Sequence, residues 1–90
     1  MFSWNDEAWD EYLSWQREDK KTLKQINKLI KSIQRDGYSK GLGKPEPLKG
    51  ELQGLWSRRI NDVDRLTYVP EDKGNFTILQ CKTHYERLKK

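Results

Sequence analysis

Between Asp19 and Gly37, Leu23, Ile26, Leu29, Ile30 and Ile33 recur at three- and four-residue steps. This is the period of an α-helix with a single apolar face, and Asp19 and Gly37 are the residue types that start and stop one. An apolar face of that length has to be covered by a second layer of structure. Only 33% of the 90 residues are hydrophobic and 36% are charged, so the cover must come from few but large side chains. Four tryptophans, four tyrosines and two phenylalanines supply them. A chain of this length buries only about 60% of the surface its unfolded form exposes, which argues against a large enclosed cofactor pocket; no cofactor is expected.

The rest of the chain divides into short elements. "MFSW" reads as a strand, and Asn5 then caps a first helix with Asp6 and Glu7 in its first turn and Ala8, Trp9, Tyr12 and Leu13 at helical spacing. Residues 37–54 hold five of the six glycines and two of the three prolines and read as one long irregular segment. Three strand-like runs follow at 55–60, 65–69 and 76–85, joined by the turn-forming "NDVD" and "PEDKGN". The order β-α-α-β-β-β predicts a single α+β domain spanning 1–90, with two helices on one face of a small, mainly antiparallel sheet. The other face is expected to stay open, with Arg58 or Arg59, Arg65, Lys82 and His84 on it or at its rim.

Charge is distributed unevenly. Residues 1–19 carry six acids against Arg17, net −5, and residues 20–90 carry 17 bases against eight acids, net +9. Lys20, Lys24, Lys28 and Lys31 form a continuous basic ridge on the helix face opposite the apolar stripe. A body of this kind favours a polyanionic partner, because each cation that meets a phosphate releases counterions. A plain solvated surface is the competing explanation. One Cys and one His exclude an intramolecular disulfide and a four-ligand zinc site within the chain, and fit a reducing cytoplasm. No apolar run is long enough for a membrane span, and the N-terminus lacks the pattern of a signal peptide.

Neither a phosphate-cradling glycine loop nor a helical zinc-protease motif is present. What remains is one histidine, a group of arginines and lysines, and Glu46 between two prolines. Cleaving RNA without a metal requires a base for the 2′-hydroxyl proton, cations for the charge developing on phosphorus, and an acid for the departing 5′-oxygen. Glu46, Arg65 with its basic neighbours, and His84 can fill those roles, with Tyr85 as core or as a stacking platform. Taken singly, a glutamate in a loop is usually solvated and a histidine at a strand end usually structural. Arg58 and Arg59 could equally cover aromatic surface or pair with Asp62 and Asp64. Composition and spacing alone therefore support an RNA-binding module.

The segments "WDEYLSWQ", "INKLIK", "GKPEPLKGELQGLWSRRI", "DRLTY" and "HY", in that order, resemble the YoeB/Txe toxins of bacterial type II toxin-antitoxin systems within the RelE superfamily. The resemblance implies a ribosome-dependent mRNA endonuclease that cuts the A-site codon and leaves 2′,3′-cyclic phosphate and 5′-hydroxyl ends. It puts the base at Glu46, the phosphate-binding arginine at Arg65, and the acid and adjacent aromatic at His84 and Tyr85. Lys49 and Arg59 match basic residues around the phosphate, and Lys20, Lys24, Lys28, Lys31 and Lys82 are further candidates for RNA contact. The implied partners are the ribosome with its mRNA and a cognate YefM-like antitoxin with an acidic C-terminal segment; a homodimer stays open. The chain runs on past "HY" as "ERLKK", where Arg87, Lys89 and Lys90 would add ribosomal RNA contacts. The alternative reading is a non-catalytic basic nucleic-acid-binding module acting in a toxin-antitoxin repressor complex.

Overall fold

A computed structural model of the chain describes residues 1–83 and 88. Strand β1 (Phe2–Trp4) leads into helix α1 (Asp6–Glu18), helix α2 (Lys20–Asp36), and then strands β2 (Glu46–Pro47), β3 (Trp56–Arg59), β4 (Arg65–Pro70) and β5 (Phe76–Gln80). Single 3₁₀ turns lie at Gly50–Leu52 and Asp72–Gly74. The sheet order is β1-β5-β4-β3-β2; β1 pairs parallel to β5 and the other neighbours are antiparallel. Among the described residues no helix is long and apolar enough to cross a membrane.

The helix ends follow from the caps. Asn5 Oδ1 accepts from the Ala8 amide at 2.8 Å and starts α1. Asp19 serves both helices: its amide donates to Trp15 O, while its carboxylate accepts from the Lys21 and Thr22 amides and the Thr22 hydroxyl. One extended residue thus turns the chain through the whole interhelical corner. Gly37, at φ 95°, closes α2 in a conformation that L side chains resist.

The predicted stripe is the inner face of α2. Ile26, Leu29, Ile30 and Ile33 are buried against Leu66, Tyr68, Phe76 and Ile78 of the sheet, with Leu23 half-buried beside them. Each such side chain contributes about 1.5–3 kcal/mol through its removal from water. From α1, Ala8 and Trp15 enter the core, and the Trp15 indole donates to Cys81 O at 2.9 Å. Trp9, although it stands at helical spacing with Ala8, Tyr12 and Leu13, does not enter it: 43% of its surface is exposed.

Three other expectations need correction. The segment 37–54 is not wholly irregular, because Glu46 and Pro47 add an edge strand to β3; Pro47 is tolerated there because an edge residue need not donate to a neighbour. Of the run expected at 76–85, strand β5 ends at Gln80 and residues 81–83 are not strand, the chain bending at 82–83 where Thr83 adopts φ 60°; 84 and 85 lie outside the described residues. The second face of the sheet is not simply open: Ser57 and Thr67 at its centre are 1% and 0% exposed. Leu48 and Leu52 are also buried, outside the cluster under the helices.

Candidate nucleic-acid cleavage site

Register decides which of the candidate residues meet. Paired residues share a face of a sheet, and so do residues two apart along a strand. Glu46 pairs with Ser57, Ser57 with Thr67, and Arg59 with Arg65. Glu46, Arg59 and Arg65 therefore lie together on the face away from the helices. Standard strand spacing and rise place the Cα atoms of Glu46 and Arg65 about 12 Å apart, a gap that two long side chains and a phosphate between them would span.

The two arginines stand directly opposite each other, which is unfavourable without an anion. Arg59 is exposed, and its side chain makes no hydrogen bond or ion pair among the described residues. Arg65 is half-buried, and its Nη1 donates to the carbonyls of Asn61 and Asp64 at 2.8 and 3.1 Å, which aims the guanidinium. Among the described residues neither is neutralised by a neighbouring carboxylate. Asp64 instead accepts from the Thr83 amide and the Asn61 side-chain amide, and the Arg65 amide donates to Thr83 O at 3.0 Å. The chain is thereby tied to Arg65 as far as residue 83; His84 and Tyr85 lie outside the described residues, as do Arg87, Lys89 and Lys90.

The adjacent arginine has the opposite fate. Arg58 is fully buried on the helix side, and its guanidinium donates to the Tyr68 hydroxyl, the Ser32 hydroxyl and the carbonyls of Gly37, Lys40 and Leu42 at 2.7–3.0 Å. It pins the segment that leads into Glu46. The backbone passes so close that a Cβ at Gly41 would lie 2.2 Å from Ser32 Oγ, and one at Gly43 would lie 2.7 Å from Leu29 Cδ2. Gly43 O then accepts from the Arg59 amide at 2.7 Å, three residues before β2. Of the "SRR" pair, Arg58 builds the scaffold and Arg59 faces outward.

This architecture, with these residues on it, has close counterparts. A family model described as a YoeB-like toxin of bacterial type II toxin-antitoxin systems matches residues 4–85. The chain belongs to this toxin family. It is 51% identical to Toxin YoeB of Streptomyces coelicolor over 78 residues, covering 87% of this chain and 90% of the relative. The YoeB/ParE toxin from Agrobacterium tumefaciens superposes with a TM-score of 0.88 at 42% identity, covering 93% and 98% of the two chains. YoeB from Staphylococcus aureus, solved in complex with YefM, gives 0.87 at 44% identity over 94% and 97%, and the same organism's YoeB dimer gives 0.85 at 45% over 93% and 95%.

The remaining candidates fall into two places. Lys49 is exposed at the cap of the 3₁₀ turn that follows β2. Lys20, Lys24, Lys28 and Lys31 are all exposed along the outer side of α2. Lys24 and Lys28, joined by Lys21, line a cleft of about 400 Å³ whose other wall includes Asn61, the residue whose carbonyl holds Arg65. Lys82 departs from the expected rim. Its ammonium bonds Glu18 at 2.9 Å and Ser14 at 3.0 Å and sits 4.8 Å above the Trp15 ring, so α1 engages it. That bond is the main cause holding the Glu18 carboxyl below its ordinary pKa.

Three residues at these two places were not among the sequence candidates. Ser57 Oγ and Thr67 Oγ1 are buried beside Glu46 without a hydrogen-bond partner among the described residues. Alternation alone could place them on either face, and only the register with Glu46 gives them meaning. Lys21 was likewise passed over, because it falls off the i+4 ridge and joins Lys24 and Lys28 only through the cleft.

Proposed function

We propose that this toxin is a ribosome-dependent endoribonuclease that cleaves mRNA in the A site. The observation that carries the reading is the shared face of Glu46, Arg59 and Arg65, with a carboxylate on the edge strand and two arginines free of any carboxylate partner among the described residues. Glu46 takes the proton from a 2′-hydroxyl, the 2′-oxygen attacks phosphorus, and Arg59 and Arg65 stabilise the charge on the phosphoryl oxygens. The bond from phosphorus to the 5′-oxygen breaks and His84 supplies the leaving oxygen with its proton, giving 2′,3′-cyclic phosphate and 5′-hydroxyl ends. Tyr85 and Lys49 flank the reacting nucleotide. The site is shallow, so in-line geometry is supplied by the ribosome, which Lys20, Lys21, Lys24, Lys28 and Lys31 contact through ribosomal RNA phosphates.

The partners in this reading are the ribosome with its mRNA, a YefM-like antitoxin and a second copy of the chain. An acidic antitoxin segment that folds onto the exposed cationic surface would silence it. The protein works in the cytoplasm as one domain spanning 1–90.

Ribosomes programmed with a short mRNA test the proposal. The purified protein is expected to cut within the A-site codon, and Glu46→Gln and His84→Gln to slow single-turnover cleavage by about 10²–10⁴-fold each while ribosome binding holds. An intact message refutes the nuclease reading. Parallel loss of binding and cleavage in both variants refutes the assigned roles.

A further inference from the structure

β5 stops at Gln80, and no glycine or proline stands at 81–83 to turn the chain there. It turns nonetheless, with Thr83 at φ 60°. Branching at Cβ makes this left-handed region costly for threonine, so such a residue persists only where its surroundings over-determine it. The chain meets this need with glycine elsewhere, since all six of its glycines stand at positive φ; Lys44 and Lys73 share the region, but neither is β-branched. Backbone held against its preference marks places where position matters.

Side chains from three elements hold the bend. The Cys81 amide donates to Glu11 Oε1 at 2.8 Å, the Lys82 ammonium to Glu18 at 2.9 Å, and the Thr83 amide to Asp64 Oδ1 at 2.6 Å. Buried Gln80 adds its Nε2, which donates to Lys82 O at 2.7 Å and to Thr83 Oγ1 at 3.2 Å. Glu11 and Glu18 tie the chain to α1, whereas Asp64 ties it to the start of β4. There Asp64 also serves the arginine. Its carbonyl accepts from Arg65 Nη1 at 3.1 Å, beside Asn61 O at 2.8 Å, and its Oδ2 accepts from Asn61 Nδ2 at 3.0 Å. One buried residue thus grips Arg65 with its main chain and the Thr83 bend with its side chain. With both oxygens taken by N–H donors, the carboxylate is kept from the guanidinium, which stays available to an anion.

We infer that Asp64 is a positioning residue for cleavage: its carboxylate clamps the Thr83 bend to the start of β4 and so sets how the chain presents His84, the next residue, to Arg65. This role rests on His84 being the acid of the nuclease reading. Asp64 itself touches neither RNA nor the reacting atoms. It matters because the arginine and the acid come from segments far apart in sequence, and a shift of about 1 Å between groups that act on one phosphate costs a rate factor of about 10².

Amide hydrogen exchange and single-turnover cleavage on programmed ribosomes, both with the full chain, test the role. The Thr83 amide is expected to be protected, and Asp64→Ala to speed its exchange at least about tenfold. A Thr83 amide that exchanges freely in the parent means that no clamp exists and overturns the inference, whatever the activity. At saturating ribosomes Asp64→Ala should slow the chemical step about 10–100-fold with ribosome binding unchanged. Asp64→Asn, which keeps an oxygen for the Thr83 amide, should stay within about fivefold of the parent. The deciding comparison is the His84→Gln background, where Asp64→Ala should cost less than about threefold more because the group it positions is already gone. Equal losses in both backgrounds assign Asp64 to stability or to Arg65 alone and overturn the inference. Circular dichroism checks that each variant is folded; should Asp64→Ala not be, Asp64→Ser takes its place. A parent that leaves the message intact refutes the nuclease reading and any role in cleavage with it, while exchange at Thr83 separately reports whether the clamp is there.

Discussion

Neighbouring residues of one motif can serve opposite ends, and Arg58 and Arg59 show why. Both sit in a strand, so one side chain must face the helices and the other must face away. Arg58 is accommodated inside because six oxygens surround it. Arg58→Met leaves the Gly37, Lys40 and Leu42 carbonyls without that donor and is expected to cost about 3–5 kcal/mol, read as a lower urea midpoint at unchanged slope. A smaller loss would mean that water enters and replaces the guanidinium. Thr67 gives the opposite sign: its hydroxyl is buried without a partner among the described residues. Thr67→Val should therefore raise stability by about 1 kcal/mol in the same titration, and a clear loss would show that the hydroxyl is bonded in solution. The arginine pair was legible in the sequence as a pair. Which member turned inward was not, because a one-residue shift of register exchanges them.

Among the elements, the two helices were the most readable, since their caps and their period are both local. The same caps make the helical corner sensitive to acid. The Asp19 carboxyl is held below its ordinary pKa first by the Thr22 hydroxyl and then by the Thr22 and Lys21 amides, and the Glu18 carboxyl first by Lys82. A carboxyl whose pKa is lower in the folded than in the unfolded chain contributes stability above its unfolded pKa. That contribution is lost as pH falls through the folded value. Melting temperature is accordingly expected to drop on acidification below the ordinary carboxylate range. Asp19→Asn, which still caps but does not titrate, should flatten that drop; an unchanged acid limb would exclude Asp19 as a contributor. The strands were less legible. β2 is two residues long and carries no pattern of its own, so it exists only because β3 is there to pair with it.

At the scale of the whole molecule, the first and last strands hold the sheet's far edge together. β1 pairs parallel with β5, Phe2 stacks on Phe76 at 5.4 Å and 12°, and Trp4 packs on Tyr12 at 4.7 Å. Removing residues 1–4 is expected to cost at least about 3–5 kcal/mol, a large part of the 5–15 kcal/mol typical of a domain, and a urea titration that shows less would make β1 dispensable. The sequence by itself determined what neighbours in the chain can enforce: both helices and their ends, the apolar stripe, the basic ridge opposite it, and through an ordered set of motifs the toxin family. Tertiary structure alone decided what depends on partners distant in sequence. It brought Glu46 onto one face with Arg59 and Arg65, turned Arg58 inward, engaged Lys82 with Glu18 and left Trp9 exposed. The reason is physical: helical period is written in residues three and four apart, whereas strand register and side-chain pairing are settled only when separated segments compete for the same surface.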